Sequence, residues 1–402
     1  MQPTITKNRI QSIDVLRGFV MVIMALDHIR DFLYKADLSK AADAALDPTN
    51  MQTTFPALFF TRWITHFCAP IFVFLAGTSI YLMCQRKTKK ELSGFLIKRG
   101  LWLIFVELVI ITFGWTFNPS YNLFIMQVIW AIGVSMVLLG ILIHLPIQAI
   151  FVIGLIIVAG HNIMDIPSVS SGLKGTFLSD LLYFSNFSVH PLWGNHFVII
   201  VYAFLPWTGV MLLGFCFGMF YKKDVDPLYR RKMLLRLGAA LIILFLVLRF
   251  TNIYGDPLPW SAQPRGPVYT FLSFLNLNKY PPSLLYLCMT IGPGLLFLAL
   301  IEKVQNNFTA VFNIYGRVPM LYYILHFYLI HLIVVVVFFA QGFGTKDIVP
   351  EGIPFFFKPN GLGFGLWGVY AVWAIVLVIL YPICKKYNHY KSTHTHWWLS
   401  YL

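Results

Sequence analysis

The first apolar segment of the chain, residues 13–34, contains ionisable side chains that could do chemistry inside a membrane. They are Asp14, Arg17, Asp27, His28, Arg30 and Asp31. An ionisable group in a spanning helix costs roughly 3 kcal/mol or more unless it faces a cavity or a partner, so such groups indicate a binding or reaction site. At about 100° per residue, the helix turns roughly 20° past three full turns between Arg17 and His28, which places both side chains on one face about 16 Å apart.

This charged face also has a purely structural interpretation. Asp14 lies one turn from Arg17, so an ion pair between them could hold the arginine in place. A buried network of this kind would order the helix bundle without any chemistry. The number of ionisable residues in so short a segment favours a functional site.

The composition indicates an integral membrane protein. Of 402 residues, 58% are hydrophobic and 11% are charged, whereas about a quarter of the residues in soluble domains are charged. Apolar runs of about 20 residues recur, which is the length of a membrane-spanning helix. We predict an all-α membrane protein, a polytopic bundle of about ten transmembrane helices in a single domain over residues 1–402. The predicted spans are 13–34, 58–84, 98–117, 122–143, 146–163, 197–221, 233–252, 281–301, 318–341 and 364–385.

Basic residues are concentrated in loops on one side of the predicted bundle. The loop after the second span contains Arg86, Lys87, Lys89, Lys90, Lys98 and Arg99, and the loop after the sixth contains Lys222, Lys223, Arg230, Arg231, Lys232 and Arg236. The loops at 35–62 and 162–196 are near neutral. Loops rich in Lys and Arg stay in the cytoplasm, so we predict an integral inner (plasma) membrane protein with both termini cytoplasmic. The net charge of +14 then reflects topology and contact with anionic lipid of the bilayer, and we expect no nucleic-acid partner.

A second histidine approaches the outer end of the predicted bundle. His66 enters the membrane in the second span from the face that His28 also approaches, so we expect the two to be neighbours. Imidazole titrates near neutral pH and suits a general base for a hydroxyl or an amine. Taken alone, His66 is equally compatible with an interfacial histidine whose hydrogen bonds are satisfied.

Metal and nucleotide chemistry find little support in the sequence. The five cysteines lie in or beside apolar spans without paired spacing and are predicted to be packing residues: Cys68, Cys84, Cys216, Cys288 and Cys384. No zinc-finger spacing and no Gly-rich phosphate loop occurs, so we expect no metal site and no ATP hydrolysis. The tail at His394 to Trp398 is predicted to be an interfacial anchor, with metal binding as the alternative.

Several segments resemble a known enzyme family. Residues 12–19 (SIDVLRGF), the pair Asp27–His28 and residues 72–79 (FVFLAGTS) are similar to the heparan-alpha-glucosaminide N-acetyltransferase family. The spacing of Arg17 and His28, with ten residues between them, resembles the broader acyltransferase-3 superfamily. Residues 206–209, 279–283 and 316–331 resemble further family segments, so the resemblance covers most of the chain.

The resemblance implies a transmembrane acyltransferase that moves an acetyl or other acyl group from cytoplasmic acyl-CoA to a sugar or glycan on the far side. In such families a histidine at the outer end of the first core helix acts on the acceptor, and His28 is the matching position. The animal members have an asparagine there and use a histidine further along, which leaves the roles of His28 and His66 open. The oligomeric state is also open, with a homo-oligomer among the alternatives.

An acyl-CoA donor carries several negative charges, so it requires cations beside an opening to the cytoplasm. The candidate cations are Arg17 and Arg249 within spans, and Arg317 at the inner edge. Tyr322, Tyr323 and His326 lie within about one turn of the ninth span, and we predict that they face the same cavity. Aromatic residues in such spans are more often packing residues, which is the alternative for these three.

For the reaction we predict that His28 accepts the proton of an attacking hydroxyl or amine, while Asp27 or Asp31 orients or charges the imidazole. The oxyanion that develops on the carbonyl needs a donor, which Asn, Ser, Tyr or a backbone N–H can supply. A covalent acyl-histidine is a chemically sound alternative to direct transfer. The rival function is a secondary transporter or proton-coupled channel that uses the same Asp, His and Arg face.

Overall fold

Nearly all regular structure in the described residues, 10–35, 47–349 and 355–401 of the computed structural model, is helical. The first half comprises α1 (Gln11–Leu33), α2 (Pro56–Ile64), α3 (Cys68–Cys84), α4 (Lys89–Phe105), α5 (Thr112–Thr116), β1 (Leu123–Met126), α6 (Val128–Leu142), α7 (Ile147–Gly160), α8 (Pro167–Ser170), α9 (Phe177–Ser179), β2 (Ser188–Pro191) and β3 (Phe197–Ile200). The second half comprises α10 (Phe204–Phe217), α11 (Pro227–Thr251), α12 (Pro267–Leu275), α13 (Leu284–Ile301), α14 (Asn307–Arg317), α15 (Pro319–Ala340) and α16 (Leu366–Thr393). Part of the predicted 35–62 loop, residues 36–46, lies outside the described residues.

A helix runs through each of the ten predicted apolar runs. Within the described residues, seven helices are long and apolar enough to cross a membrane, so the all-α membrane class is confirmed. They are Pro56–Cys84, Ile147–Asp165, Phe204–Tyr221, Pro227–Thr251, Leu284–Ile301, Pro319–Ala340 and Leu366–Thr393. The other three runs differ for physical reasons: α1 is rich in charge, α6 has 15 residues, and a π-helical turn separates α4 from α5.

Two predicted spans, 122–143 and 197–221, begin as strands, so their prediction as continuous helices was wrong. β3 pairs in parallel with β1 and antiparallel with β2, which gives the order β1-β3-β2. The strand residues, LFIM in β1 and FVII in β3, are branched or aromatic except for Met126, and such residues suit a strand as well as a helix. Pairing between segments about 75 residues apart decided the outcome.

The helix α1 lies inside the bundle. Nineteen of its 23 residues are buried, and it packs against α3, α13, α14, α15 and α16. A helix that is buried on all sides cannot expose its charged groups to lipid, so those groups must find partners within the protein.

Glycines bring the backbone of α1 directly against that of α14. A Cβ atom at Gly18 would lie 1.8 Å from the carbonyl oxygen of Phe312, and one at Gly316 would lie 1.7 Å from that of Asp14. Only glycine fits such an approach, which is a common way for membrane helices to pack. The contact places Arg17 beside the C-terminal end of α14.

The loops that are rich in basic residues lie at one end of the bundle, which we term the basic end. There Lys89 donates a hydrogen bond to the carbonyl oxygen of His144 at 3.1 Å, and Arg230 pairs with Glu302. Thr88 and Glu91 form a capping box that begins α4, and the hydrogen bond from the Thr88 backbone N–H lowers the pKa of Glu91. The small sheet lies at the opposite end, between α5 and α10.

We predict that Gly18→Ala lowers the free energy of unfolding by at least about 2 kcal/mol, because the added methyl group must separate two backbones. Gly94→Ala is the matched control, since its Cβ would meet no atom within 4 Å. That change should leave stability unchanged or raise it by up to about 1 kcal/mol. Thermal unfolding of both variants in the same detergent measures the difference, and equal stability would contradict the α1–α14 contact.

Candidate active site

A cavity of about 600 Å³ extends from the basic end into the bundle along α1. Its volume is in the range of small-molecule sites, about 300–1,000 Å³. Six basic side chains and one acidic side chain line it: Arg17, Arg86, Lys87, Arg99, Arg317 and Lys391, with Asp14. Further along α1 the wall becomes apolar at Met21 and Met24, and Tyr323 of α15 also lines it. A cavity with basic and apolar parts fits an anionic ligand with a long uncharged arm, as the expected acyl-CoA is.

Arg17 is fixed in the wall of this cavity by three helices. Its Nη1 donates to Asp14 Oδ1 at 3.0 Å and to the carbonyl oxygen of Gly316 at 3.3 Å. Its Nη2 donates to Ser79 Oγ at 2.8 Å. Arg317 also lies near the same carboxylate, with 3.8 Å between its Nε and Asp14 Oδ2. The ion pair predicted between Asp14 and Arg17 is confirmed.

The outer part of α1 brings His28 against a histidine of α15. His28 Nδ1 lies 2.7 Å from His326 Nε2. The ring of Phe327 stacks on His28 at a centroid distance of 4.3 Å, and Trp115 packs edge-on at 5.5 Å. The two histidines therefore form a hydrogen-bonded pair inside an aromatic wall.

The backbone assigns the protons of this pair. His326 Nδ1 lies 3.1 Å from the carbonyl oxygen of Tyr322, and a carbonyl only accepts, so His326 Nδ1 must carry a proton. In a neutral His326, Nε2 is then the acceptor and receives the Nδ1–H of His28. This leaves Nε2 of a neutral His28 unprotonated. None of the described residues forms a hydrogen bond with that nitrogen. A nitrogen in this state can accept a proton from a reactant.

Among the described residues, neither aspartate makes a hydrogen bond to the imidazole, so the prediction that one of them orients it is corrected. Asp27 pairs with Arg30 at 3.0 Å through Oδ1 and with Arg62 through Oδ2. Asp31 pairs with Arg30. Adjacent residues on a helix point about 100° apart, so Asp27 faces the arginines while His28 faces α15. The carboxylates balance the cations at the end of α1 that lies away from the basic loops.

The ring of His66 packs against a different side chain from the rings around His28. His66 belongs to the 3₁₀ turn Thr65–Phe67 that joins α2 to α3, and its ring packs against Tyr286 at a centroid distance of 5.4 Å. The hydroxyl of Tyr286 donates to the carbonyl oxygen of His66 at 2.7 Å. His28 forms its hydrogen bond with His326. Among the described residues, no hydrogen bond or ring contact joins His28 to His66, so the expected contact is not formed.

Arg249 is not among the cations of the cavity. It is 1% exposed, and it donates hydrogen bonds to the carbonyl oxygens of Leu258, Ser273, Phe274 and Asn276. Asp256 lies 3.8 Å from it, and burial raises the pKa of that carboxyl group. Arg249 therefore ties the 252–283 segment to the end of α11.

The other predicted donor-site residues divide into two groups. Arg317 and Tyr323 line the cavity. Tyr322 is fully buried, and its ring packs on Tyr315 at 5.2 Å. His326 lies behind the cavity, where it serves as the partner of His28.

Two features of the site were missed by the sequence analysis. Glu107 is fully buried in the π-helical turn, where its Oε2 accepts from the backbone N–H of Trp130 at 3.0 Å. Its Oε1 has no protein partner among the described residues. Glu107 is the lone acidic residue of the predicted span 98–117. An ionisable residue inside a span indicates a functional site, so the sequence could have predicted Glu107 as it predicted the charged residues of α1. Lys391 and Leu399, near the end of the chain, also line the cavity, and no sequence signal places them there.

The fold and the site define a helical membrane protein in which a basic cavity leads towards a buried histidine pair. Residues 9–249, more than half of the chain, match the family described as heparan-alpha-glucosaminide N-acetyltransferase, catalytic. The chain belongs to this family, and the predicted resemblance is confirmed to that extent. The family implies a membrane acetyltransferase that acts on a glycan, with acetyl-CoA as donor. No curated protein matches the chain significantly.

We predict that Arg17→Gln raises the KM for acetyl-CoA by roughly 10- to 100-fold, because a hydrogen bond to a charged group is worth about 1.5–3 kcal/mol. The same change removes the nearer of the two arginines beside Asp14 and should lower the melting temperature. The double variant Asp14→Asn/Arg17→Gln removes the carboxylate as well and should restore the melting temperature while the KM stays high. Steady-state kinetics and thermal unfolding separate the two effects.

Lys223→Gln is the matched control for this prediction. Lys223 is an exposed cation at the basic end that does not line the cavity. Its removal should leave the KM unchanged within about twofold, because exposed charges interact weakly at physiological salt. Equal effects of the two substitutions would mean that the whole basic end, and not the cavity, attracts the donor.

Proposed function

We propose that this protein transfers an acetyl group from acetyl-CoA to an amine or hydroxyl of a sugar or glycan, using a histidine as general base. The observation that carries the proposal is the cavity itself. It begins among six cations and is lined at depth by Tyr323, whose ring lies 6.4 Å from that of His28. An anionic donor that enters by the basic end would thus have its thioester directed towards the histidine pair.

The distribution of charge supports opposite entry routes for the two substrates. We place the basic end at the cytoplasmic face of the inner (plasma) membrane, because Lys- and Arg-rich loops remain inside. The cations of the cavity would hold the phosphates of acetyl-CoA on that side. The acceptor would reach His28 from the extracytoplasmic side, where Asp27, Arg30 and Arg62 supply polar groups.

The histidine pair supports direct transfer. As the acceptor nitrogen or oxygen bonds to the acetyl carbon, its proton passes to His28 Nε2. The carbon–sulfur bond then breaks, and CoA leaves as a thiolate that takes the proton back from His28 Nε2, which regenerates the base. His326 keeps His28 in the tautomer that this step requires, through the 2.7 Å hydrogen bond. The enclosed pair would also keep water away from the thioester.

The proposal extends over the full length of the chain. His326 and Tyr323 lie beyond residue 249, where the family match ends, so residues 1–402 would form one transmembrane acyltransferase domain. The spacing of Arg17 and His28 supports a wider relationship to the acyltransferase-3 superfamily. A secondary transporter would use the same charged face without releasing CoA, and the assay below distinguishes the two functions.

We predict that His28→Ala lowers kcat by at least ~10², as expected for loss of a general base, while the KM for acetyl-CoA changes little. His66→Ala should have a much smaller effect, because the ring of His66 packs against Tyr286 and is not part of the hydrogen-bonded pair. Release of the CoA thiol from acetyl-CoA, with glucosamine as acceptor, provides the measurement. The purified wild-type protein should release CoA only slowly without the acceptor.

His326 provides an internal control for this test. His326→Gln retains a side-chain oxygen that can accept from His28, so it should keep more activity than His326→Ala. Loss of turnover in His66→Ala with a silent His28→Ala would assign the base to His66. Full activity in both variants would refute the proposed base, and the absence of CoA release from wild-type protein would favour the transporter.

We predict that a cysteine at position 171 is labelled from outside the cell and that a cysteine at position 223 is not. Ser171 and Lys223 are both exposed, and they lie at opposite ends of the bundle. The partly exposed Cys84 is replaced by serine first, since the other four cysteines are buried. A membrane-impermeant maleimide should label Lys223→Cys only after permeabilisation, and the reverse pattern would overturn the proposed entry routes.

A further inference from the structure

The reaction proposed above needs a hydrogen-bond donor for the oxyanion that develops on the thioester carbonyl. Such a donor must lie in the cavity, near the base, with its hydrogen not already committed to the protein. Among the described residues that line the cavity, two carry a hydroxyl group: Ser79 and Tyr323. Ser79 donates to the carbonyl oxygen of Leu75 at 2.7 Å and accepts from Arg17, so its hydrogen is committed.

Tyr323 is in the opposite state. Its side chain is 3% exposed, and its hydroxyl has no hydrogen-bond partner among the described residues. A buried hydroxyl without a partner costs about 1–3 kcal/mol, which is unusual in a native structure and often marks a functional group. A substrate oxygen in the cavity would supply the missing acceptor.

The surroundings of Tyr323 fix its ring beside the base. The ring packs edge-on against His28 at a centroid distance of 6.4 Å and against Phe327 at 5.1 Å. His326 lies 5.5 Å away on the next turn of α15. One helix thus positions both Tyr323 and the partner of the base, which lets the base and the donor act on the same carbonyl group.

Other candidates for this donor do not meet the same conditions. Tyr322 also has a hydroxyl without a partner, but it does not line the cavity, and its ring faces Tyr315. The indole N–H of Trp115 is also without a partner among the described residues, but Trp115 does not line the cavity.

We infer that Tyr323 is a catalytic residue that donates its hydroxyl hydrogen to the carbonyl oxygen of the thioester. The inference rests on the proposed acetyl transfer. When the acceptor bonds to the acetyl carbon, the π electron pair of the carbonyl moves to oxygen, and Tyr323 stabilises the resulting negative charge. The pair returns to re-form the carbonyl as the carbon–sulfur bond breaks. Tyr323 keeps its proton throughout, and His28 takes the proton of the acceptor.

The test compares Tyr323→Phe with Tyr322→Phe, since each removes one buried hydroxyl from adjacent positions of α15. Tyr323→Phe should lower kcat by about 10²–10³, as for other single oxyanion donors. Its KM for acetyl-CoA and its melting temperature should stay near the wild-type values, because no protein hydrogen bond is lost. Tyr322→Phe should keep kcat within about threefold. A second measurement is binding of acetyl-CoA relative to CoA, a preference that Tyr323→Phe should reduce.

Each outcome of this test decides the inference. Wild-type turnover with an equally active Tyr323→Phe would overturn the role of Tyr323 and leave the acetyl transfer intact. An equal loss of kcat in both variants would show a structural effect of α15 and would also overturn the role. Wild-type protein that neither binds acetyl-CoA nor releases CoA would overturn the proposed function and this inference together.

Discussion

The burial of α1 is the constraint on which the rest of the structure depends. A helix with five formally charged residues and a histidine lies inside an apolar bundle, where an unpaired charge costs several kcal/mol. Each charged group therefore requires a partner or a cavity. Glycines at positions 18 and 316 allow α14 close enough for Arg17 to reach the carbonyl oxygen of Gly316. The close packing and the polar contacts of α1 are thus parts of one arrangement.

The same constraint gives the two ends of α1 different properties. Near the basic end the cations outnumber the acids, and the excess positive charge faces a cavity. Near the opposite end, Asp27 is shared between Arg30 and Arg62, and Asp31 also pairs with Arg30. One end is therefore prepared for an anionic ligand, while the other holds its charges in internal pairs. Between the two ends, the flexible side chains of Met21 and Met24 form an apolar part of the cavity wall.

The sequence was sufficient for the helical architecture and for part of the site. Long apolar runs carry their own length signal, and the pairing of Asp14 with Arg17 follows from one helical turn. The separation of Asp27 from His28 also follows from helix geometry, and the sequence analysis overlooked it. The His28–His326 contact joins residues 298 positions apart, and no local pattern encodes such a pairing. The sequence could not show that Arg249 has a structural role, because its partners are backbone carbonyl oxygens. Every residue has such an oxygen, so no residue type marks these partners.

In the proposed reaction, the histidine pair would let His28 act as a base without a carboxylate hydrogen-bonded to it. When His28 Nε2 takes up a proton, the ring becomes a cation and its Nδ1–H is still donated to His326. A hydrogen bond from a charged donor is about twice as strong as one between neutral groups, so the pair stabilises the protonated state as it forms. Phe327 stacks on the ring and Trp115 packs against it, and aromatic faces also attract a cation. In the proposed reaction, the pair would therefore hold a transient positive charge next to the thioester, whereas a carboxylate hydrogen-bonded to His28 would repel the oxyanion.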